Sequence, residues 1–171
     1  MADLGYELLA DGFGRVDETV TQVLHGLVAG DLSWRPDPQA NPIGWLVWHL
    51  ARVEDDHLAD LARRDQAWVE GGWQDELGLP YPAQTVGYGQ SSDEVGQFVV
   101  SGPEPLLGYY AAVHRRTLEI LEPMTAADYE RVVDERWDPP VTAAVRVVSV
   151  LNDVTQHVGQ AGYVRGLLDR R

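Results

Sequence analysis

A chain of 171 residues, 44% of them hydrophobic, is long enough to bury a sizeable core and too apolar for a disordered one. Its formal charge of −14 repels phosphate backbones and anionic bilayers, which argues against nucleic-acid and membrane-surface partners. It contains no cysteine, so disulfides, thiolate metal ligands and a cysteine nucleophile are excluded, and any metal site must draw on His, Asp or Glu.

All thirteen basic residues are arginine, which we read as the mark of a GC-rich genome. No run approaches the roughly 18 apolar residues of a membrane span. The opening "MADLGYELLADGFGR" lacks the basic-then-apolar order of a secretory signal, so a cytoplasmic protein is expected. No repeat or low-complexity segment divides the chain, and a single domain over residues 1–171 is expected.

The first periodic segment runs from about Gly12 to Val28. There Phe13, Val16, Val20, Val23, Leu24 and Leu27 follow the spacing of one helix face. "AGDLSWRPDP" breaks it, with Gly30 as the stop. A second helix opens at "NPIG", with Asn41 as N-cap and Pro42 in the first turn. Ile43, Leu46, Val47, Leu50, Val53, Leu58 and Leu61 give it an apolar side as far as about Arg64.

Residues 65–102 carry several glycines, Pro80, Pro82, Trp68, Trp73, Tyr81 and Tyr88. They read as a long loop draped over one end of a bundle, with a short helix in "SSDEVGQF" capped by Ser91 or Ser92. A third long helix starts between Pro103 and Pro105 and ends near Leu121, with Leu107, Tyr110, Ala111, His114, Leu118 and Leu121 on one face. "TAADYERVV" predicts a short helix capped by Thr125, and "DERWDPP" interrupts it. The fourth long helix covers about Val141 to Leu168, with a seam of Val145, Val148, Leu151, Val154, Val158, Ala161, Val164 and Leu168. Strand signals are scarce, so the fold expected is all-α, a four-helix bundle.

The five histidines differ in setting. His25 lies off the apolar face of its helix and reads as a surface residue, whereas His114 reads as a core or bundle-end residue with one hydrogen bond. His57 sits in the acidic "VEDDHLAD" and reads as a solvated rim residue. It is turned about 80° from His49, so the two cannot easily share an ion. His49 lies on a stripe with Leu46, Val53 and Asp56, beside the main apolar one, and points inward.

Far down the chain, Asp153 and His157 stand four residues apart, one above the other on a helix. They flank Val154 and Val158 of the seam, where a carboxylate is costly unless neutralised. A divalent cation would neutralise it. With His49 as third ligand, two imidazoles and a carboxylate make a three-ligand site with open positions, suited to Zn²⁺, Fe²⁺, Ni²⁺ or Mn²⁺. The same Asp–His spacing is also that of an ordinary surface pair.

"NPIGWLVWHLARVEDDHL" and "LNDVTQHVGQAGYVRGLL" together resemble the metal-bearing helices of the DinB/YfiT-like metalloenzymes, among them the mycothiol-dependent maleylpyruvate isomerases. The resemblance implies an up-down-down-up bundle with the metal at one end and ligands at His49, Asp153 and His157. At the middle position that family usually has His or Glu, and Asp reaches less far than Glu. It further implies a low-molecular-weight thiol as cosubstrate, with zinc the first choice of metal, and a small-molecule substrate.

For such an enzyme Asp56 is a candidate to orient His49 or act as a base, and Gln160 to hydrogen-bond the substrate. Arg52 or Arg165 are candidates to hold an anionic group, and the loop with Trp68 and Trp73 to cover the site. A metal-dependent hydrolase and a non-enzymatic binding bundle with a vestigial site are the other readings. A homodimer is compatible with the apolar edges of a bundle.

Overall fold

The computed structural model of the chain describes residues 4–171, so the first three residues of the expected domain lie outside it. Four long helices carry the core: α1 (Leu4–Leu24), α3 (Ile43–Ala62), α7 (Pro103–Leu121) and α9 (Ala143–Leu168). Between them lie short helices: α2 (Ala29–Leu32), α4 (Ala67–Glu70), α5 (Trp73–Leu77), α6 (Ser92–Val95) and α8 (Ala126–Glu130). A two-stranded antiparallel sheet, β1 (Val132–Asp134) with β2 (Val141–Thr142), pairs Val132 with Thr142 and Asp134 with Val141. No helix among the described residues is long and apolar enough to cross a membrane.

α1 and α3 each pack against both α7 and α9, which places α1 diagonally opposite α3. Side-chain pairs set the senses. Arg52 meets Tyr109 and Glu54 meets Thr117, so α3 and α7 run together. Arg146 meets His57 near one end of α9, and His157 meets His49 farther along, so α9 runs against α3. Arg165, near the end of α9, reaches the carbonyls of Val23 and His25 at the end of α1, so those two run together.

The apolar residues expected of α1 are all buried, but the helix begins earlier than its periodicity suggests and ends at Leu24. The stop is Gly26, whose φ of +73° suits a residue without a side chain, rather than Gly30. α3 begins after Pro42 with no side-chain cap, so Asn41 does not cap it. From Ile43 to Arg52 this helix is buried on every side. Residues 65–102 close over its outer surface, with Tyr81 and Phe98 packing on Trp48 at ring separations of 5.1 and 6.1 Å.

That connection is built rather than loose. Besides α6, which Ser91 caps, one of the two serines expected there, it holds α4 and α5. The carboxylate of Asp55 on α3 accepts the Ala67 and Trp68 amides at 2.8 Å each and so caps α4 from outside. The tyrosine hydroxyl of Tyr109 donates to the same carboxylate at 3.0 Å.

On α7 the buried face is Leu106, Tyr109, Tyr110, Val113, Thr117, Ile120 and Leu121, turned by one residue from the expected stripe at most positions. Ala111 is exposed, and His114 is half-buried, its ring beside Tyr110. On α9 the seam holds from Val154 to Leu168, but Val145 and Val148 are 51% and 59% exposed, with Ala143, Val147 and Val150 taking the interior instead.

Candidate metal centre

The three residues singled out as ligands come together. One ligand atom from each of His49, Asp153 and His157 lies within 4.8 Å of the other two. His49 sits in the first half of α3, and Asp153 and His157 lie one turn apart on the facing side of α9. This is the most extensive helix contact in the molecule, so two rigid elements fix the spacing. The two imidazole rings lie 4.5 Å apart, nearly edge to face.

Each ring is oriented by a backbone carbonyl. Nδ1 of His49 donates to the Val86 carbonyl, and Nδ1 of His157 to the Asp153 carbonyl at 2.9 Å. Both Nε2 atoms are thereby left as the free lone pairs of neutral imidazoles. Trp45 stacks on His49 with centroids 4.7 Å apart and planes 14° from parallel, which fixes the ring in the second direction.

The close approach of Val86 depends on Gly87. Its φ is +94°, and a Cβ there would stand 2.7 Å from His49 Nδ1 and 3.0 Å from Trp45. The connection thus does reach the site, through Val86 and Gly87. Trp68 and Trp73 instead pack around Tyr109, at 5.0 and 6.0 Å.

The donor set fits a cation. Asp153 Oδ2 is cut off from solvent without a hydrogen-bond partner, although it lies 3.2 Å from His157 Nδ1. A carboxylate oxygen in that position gains from a positive charge. Burial lowers the pKa of His49. Burial also depresses His157, but the Asp153 carboxylate and carbonyl outweigh it and the net shift is upward. For Asp153 burial acts upward, and the neighbouring histidines, His157 foremost, bring the net shift below the ordinary carboxylate value.

Of the other residues considered from sequence, Asp56, Arg52 and Arg165 spend their polar groups on other partners. Asp56 accepts a 2.7 Å hydrogen bond from Gln66, and Val86, not Asp56, orients His49. Arg52 is fully buried. Its guanidinium donates to the Thr85 carbonyl at 3.2 Å, to Gln66 at 2.8 Å and to the Ala83 carbonyl at 3.3 Å, and lies over Trp68. Those contacts tie the connection to α3.

Arg165 donates to Val23 and His25 carbonyls and to Asp169, closing the end of α1. Gln160, a turn beyond His157, lines a groove of about 540 Å³ with Asn41, Leu46 and Tyr163. His57 is not simply solvated: its Nδ1 accepts from Arg146 at 3.0 Å, and burial lowers its pKa. Around it, Glu54 and Asp55 of the acidic run are buried. The roles of Val86 and Gly87 carry no sequence signal beyond a glycine in a long connection.

No curated protein matches the chain significantly. Among solved structures it is similar to a crystal structure described as a conserved protein from Enterococcus faecalis, at 29% identity. That likeness covers 96% of this chain and 97% of the other, with a TM-score of 0.91. A family model for mycothiol S-transferases matches residues 9–170, from the middle of α1 through the helix that bears Asp153 and His157, and the chain therefore belongs to the mycothiol S-transferase family.

Proposed function

We propose that this protein is a metal-dependent S-transferase that uses a low-molecular-weight thiol of the mycothiol type. The observation that supports it most is the convergence of His49, Asp153 and His157 within 4.8 Å, with one buried carboxylate oxygen among them that has no hydrogen-bond partner and only the His157 ring beside it. Zinc suits two imidazoles and one carboxylate. His49, Asp153 and His157 would hold a divalent ion there, and it would supply Lewis-acid chemistry that favours the thiolate form of a thiol at neutral pH.

The rest falls to the chain's own residues. Val86 and the Asp153 carbonyl hold the imidazoles in the tautomer that presents Nε2. Trp45 and the connection shield His49 from water. The chain has no thiol of its own, so the nucleophile must come from a cosubstrate. Gln160, exposed one turn past His157 and lining a groove, would hydrogen-bond a molecule entering from its side.

Metal content and thiol consumption, measured side by side on wild type and His157→Ala, test this reading. The expected result is one divalent ion per chain and mycothiol-dependent turnover in the wild type, both lost in a variant whose circular dichroism is unchanged. Hydrolysis that ignores the thiol would point to a metal-dependent hydrolase. A folded wild type without bound ion would leave only a binding bundle.

A further inference from the structure

A second groove, of about 390 Å³, opens on the other side of Asp153 from Gln160. Its floor is apolar: Val53 from α3, Val141 from β2 and Val145 from α9. Trp137, 66% exposed on the turn between β1 and β2, stands at its edge. Its wall is cationic. Arg136 grips Asp134 through two hydrogen bonds of 2.8 and 2.9 Å, while Arg146 reaches the same carboxylate at 3.4 Å and His57 at 3.0 Å.

Two guanidiniums therefore share one carboxylate, and they leave positive charge over once an ion at the ligand triad neutralises Asp153, the other acid of the lining. In a chain of net charge −14 such an excess is out of pattern. Val145 is also out of pattern, since periodicity places it in the interior and the structure leaves it 51% exposed, facing this groove. Apolar side chains left exposed beside unspent guanidinium donors form the kind of lining that takes a small molecule with a flat body and an anionic end.

Resting on the function proposed above, we infer that this groove is the subsite for the second, electrophilic substrate, and that this substrate carries a carboxylate on an aromatic or similarly flat apolar body. The carboxylate lies against Arg136 and Arg146, the body rests on Trp137 and the valines, and the reactive end faces Asp153. The thiol then enters from the Gln160 side, so that the two reactants meet across the ligand triad.

Calorimetric titration of the full-length, zinc-loaded protein with benzoate, and with neutral benzyl alcohol as control, tests this directly. Benzoate is expected to bind at least about tenfold more tightly than benzyl alcohol, and Arg146→Met and Arg136→Ala to weaken it about tenfold each. Arg136 has an 86% exposed side chain, so its variant remains informative if Arg146→Met fails to fold. Trp137→Ala should weaken both probes.

Equal binding of the two probes, or benzoate binding indifferent to Arg136→Ala, overturns the assignment. Its failure is separable from that of the transferase reading. Arginine-dependent benzoate binding in a protein without thiol turnover leaves the groove standing alone. Thiol turnover with arginine-independent benzoate binding removes the groove and leaves the enzyme.

Discussion

His157 couples the candidate metal centre to pH through a single proton. A ligand must be neutral to bind, and the Asp153 carboxylate and carbonyl, acting against burial, hold the His157 pKa above 6.5. The logarithm of the apparent metal Kd plotted against pH should therefore break above 6.5, with affinity falling as pH drops through that point. A break at or below it would mean that the pairing with Asp153 does not persist in solution. Gly87→Ala should act on the other imidazole. Its Cβ displaces either Val86 or His49, so metal affinity should fall by about 10–100-fold with the helical content kept, as a competing chelator would measure. The convergence of His49, Asp153 and His157 was legible because helical spacing puts Asp153 over His157 and turns His49 inward, and because the family resemblance points to the same three residues. What orients His49 was not, since a backbone carbonyl of a distant connection leaves no mark in the residue types that supply it.

The α3–α7 pair holds a second titratable feature, away from the metal centre. Glu54 is wholly buried, accepting from Thr117 at 2.6 Å and Tyr110 at 3.1 Å, and burial pushes its pKa from 4.5 up to about 7. The folded state thus keeps a proton that the unfolded chain has lost, so the contribution of Glu54 to stability is greatest below pH 4.5 and declines as pH rises from there to about 7. This group alone should cost about 3 kcal/mol by pH 8. Glu54→Gln keeps the shape and a hydrogen-bonding end, and urea unfolding should show it gaining roughly that amount at pH 8 and little at pH 4.5. A variant no more stable than wild type at pH 8 would show that Thr117 and Tyr110 stabilise the charged form better than burial penalises it. The sequence hid this feature, because an acidic run such as "VEDDHLAD" reads as solvent-facing. Glu54 and Asp55 are internal because α7 and the connection supply hydroxyls and amides to meet them. Helix existence was read well for the same reason that faces were read unevenly. Period fixes a helix, but β2 and its turn shift the entry of α9, and the first two turns rotate Val145 and Val148 outward.

For the whole molecule, an ion bridging α3 and α9 would bind only the folded chain, so ion loading and folding would be linked. At a free metal concentration about 100 times Kd, the gain is about 2.7 kcal/mol. For a chain of this size that corresponds to a Tm increase of roughly 5–10 °C, reversed by a chelator. A thermal scan with and without chelator checks it, and superimposable curves would count against a bound ion. The Val86 carbonyl gives this linkage a particular route. It belongs to the 65–102 connection, which Arg52 and Asp55 anchor to α3, and it sets the proton on His49. The connection is therefore a thermodynamic partner of the ion: whatever frays it loosens the metal, and by reciprocity whatever fills the site tightens the wrap.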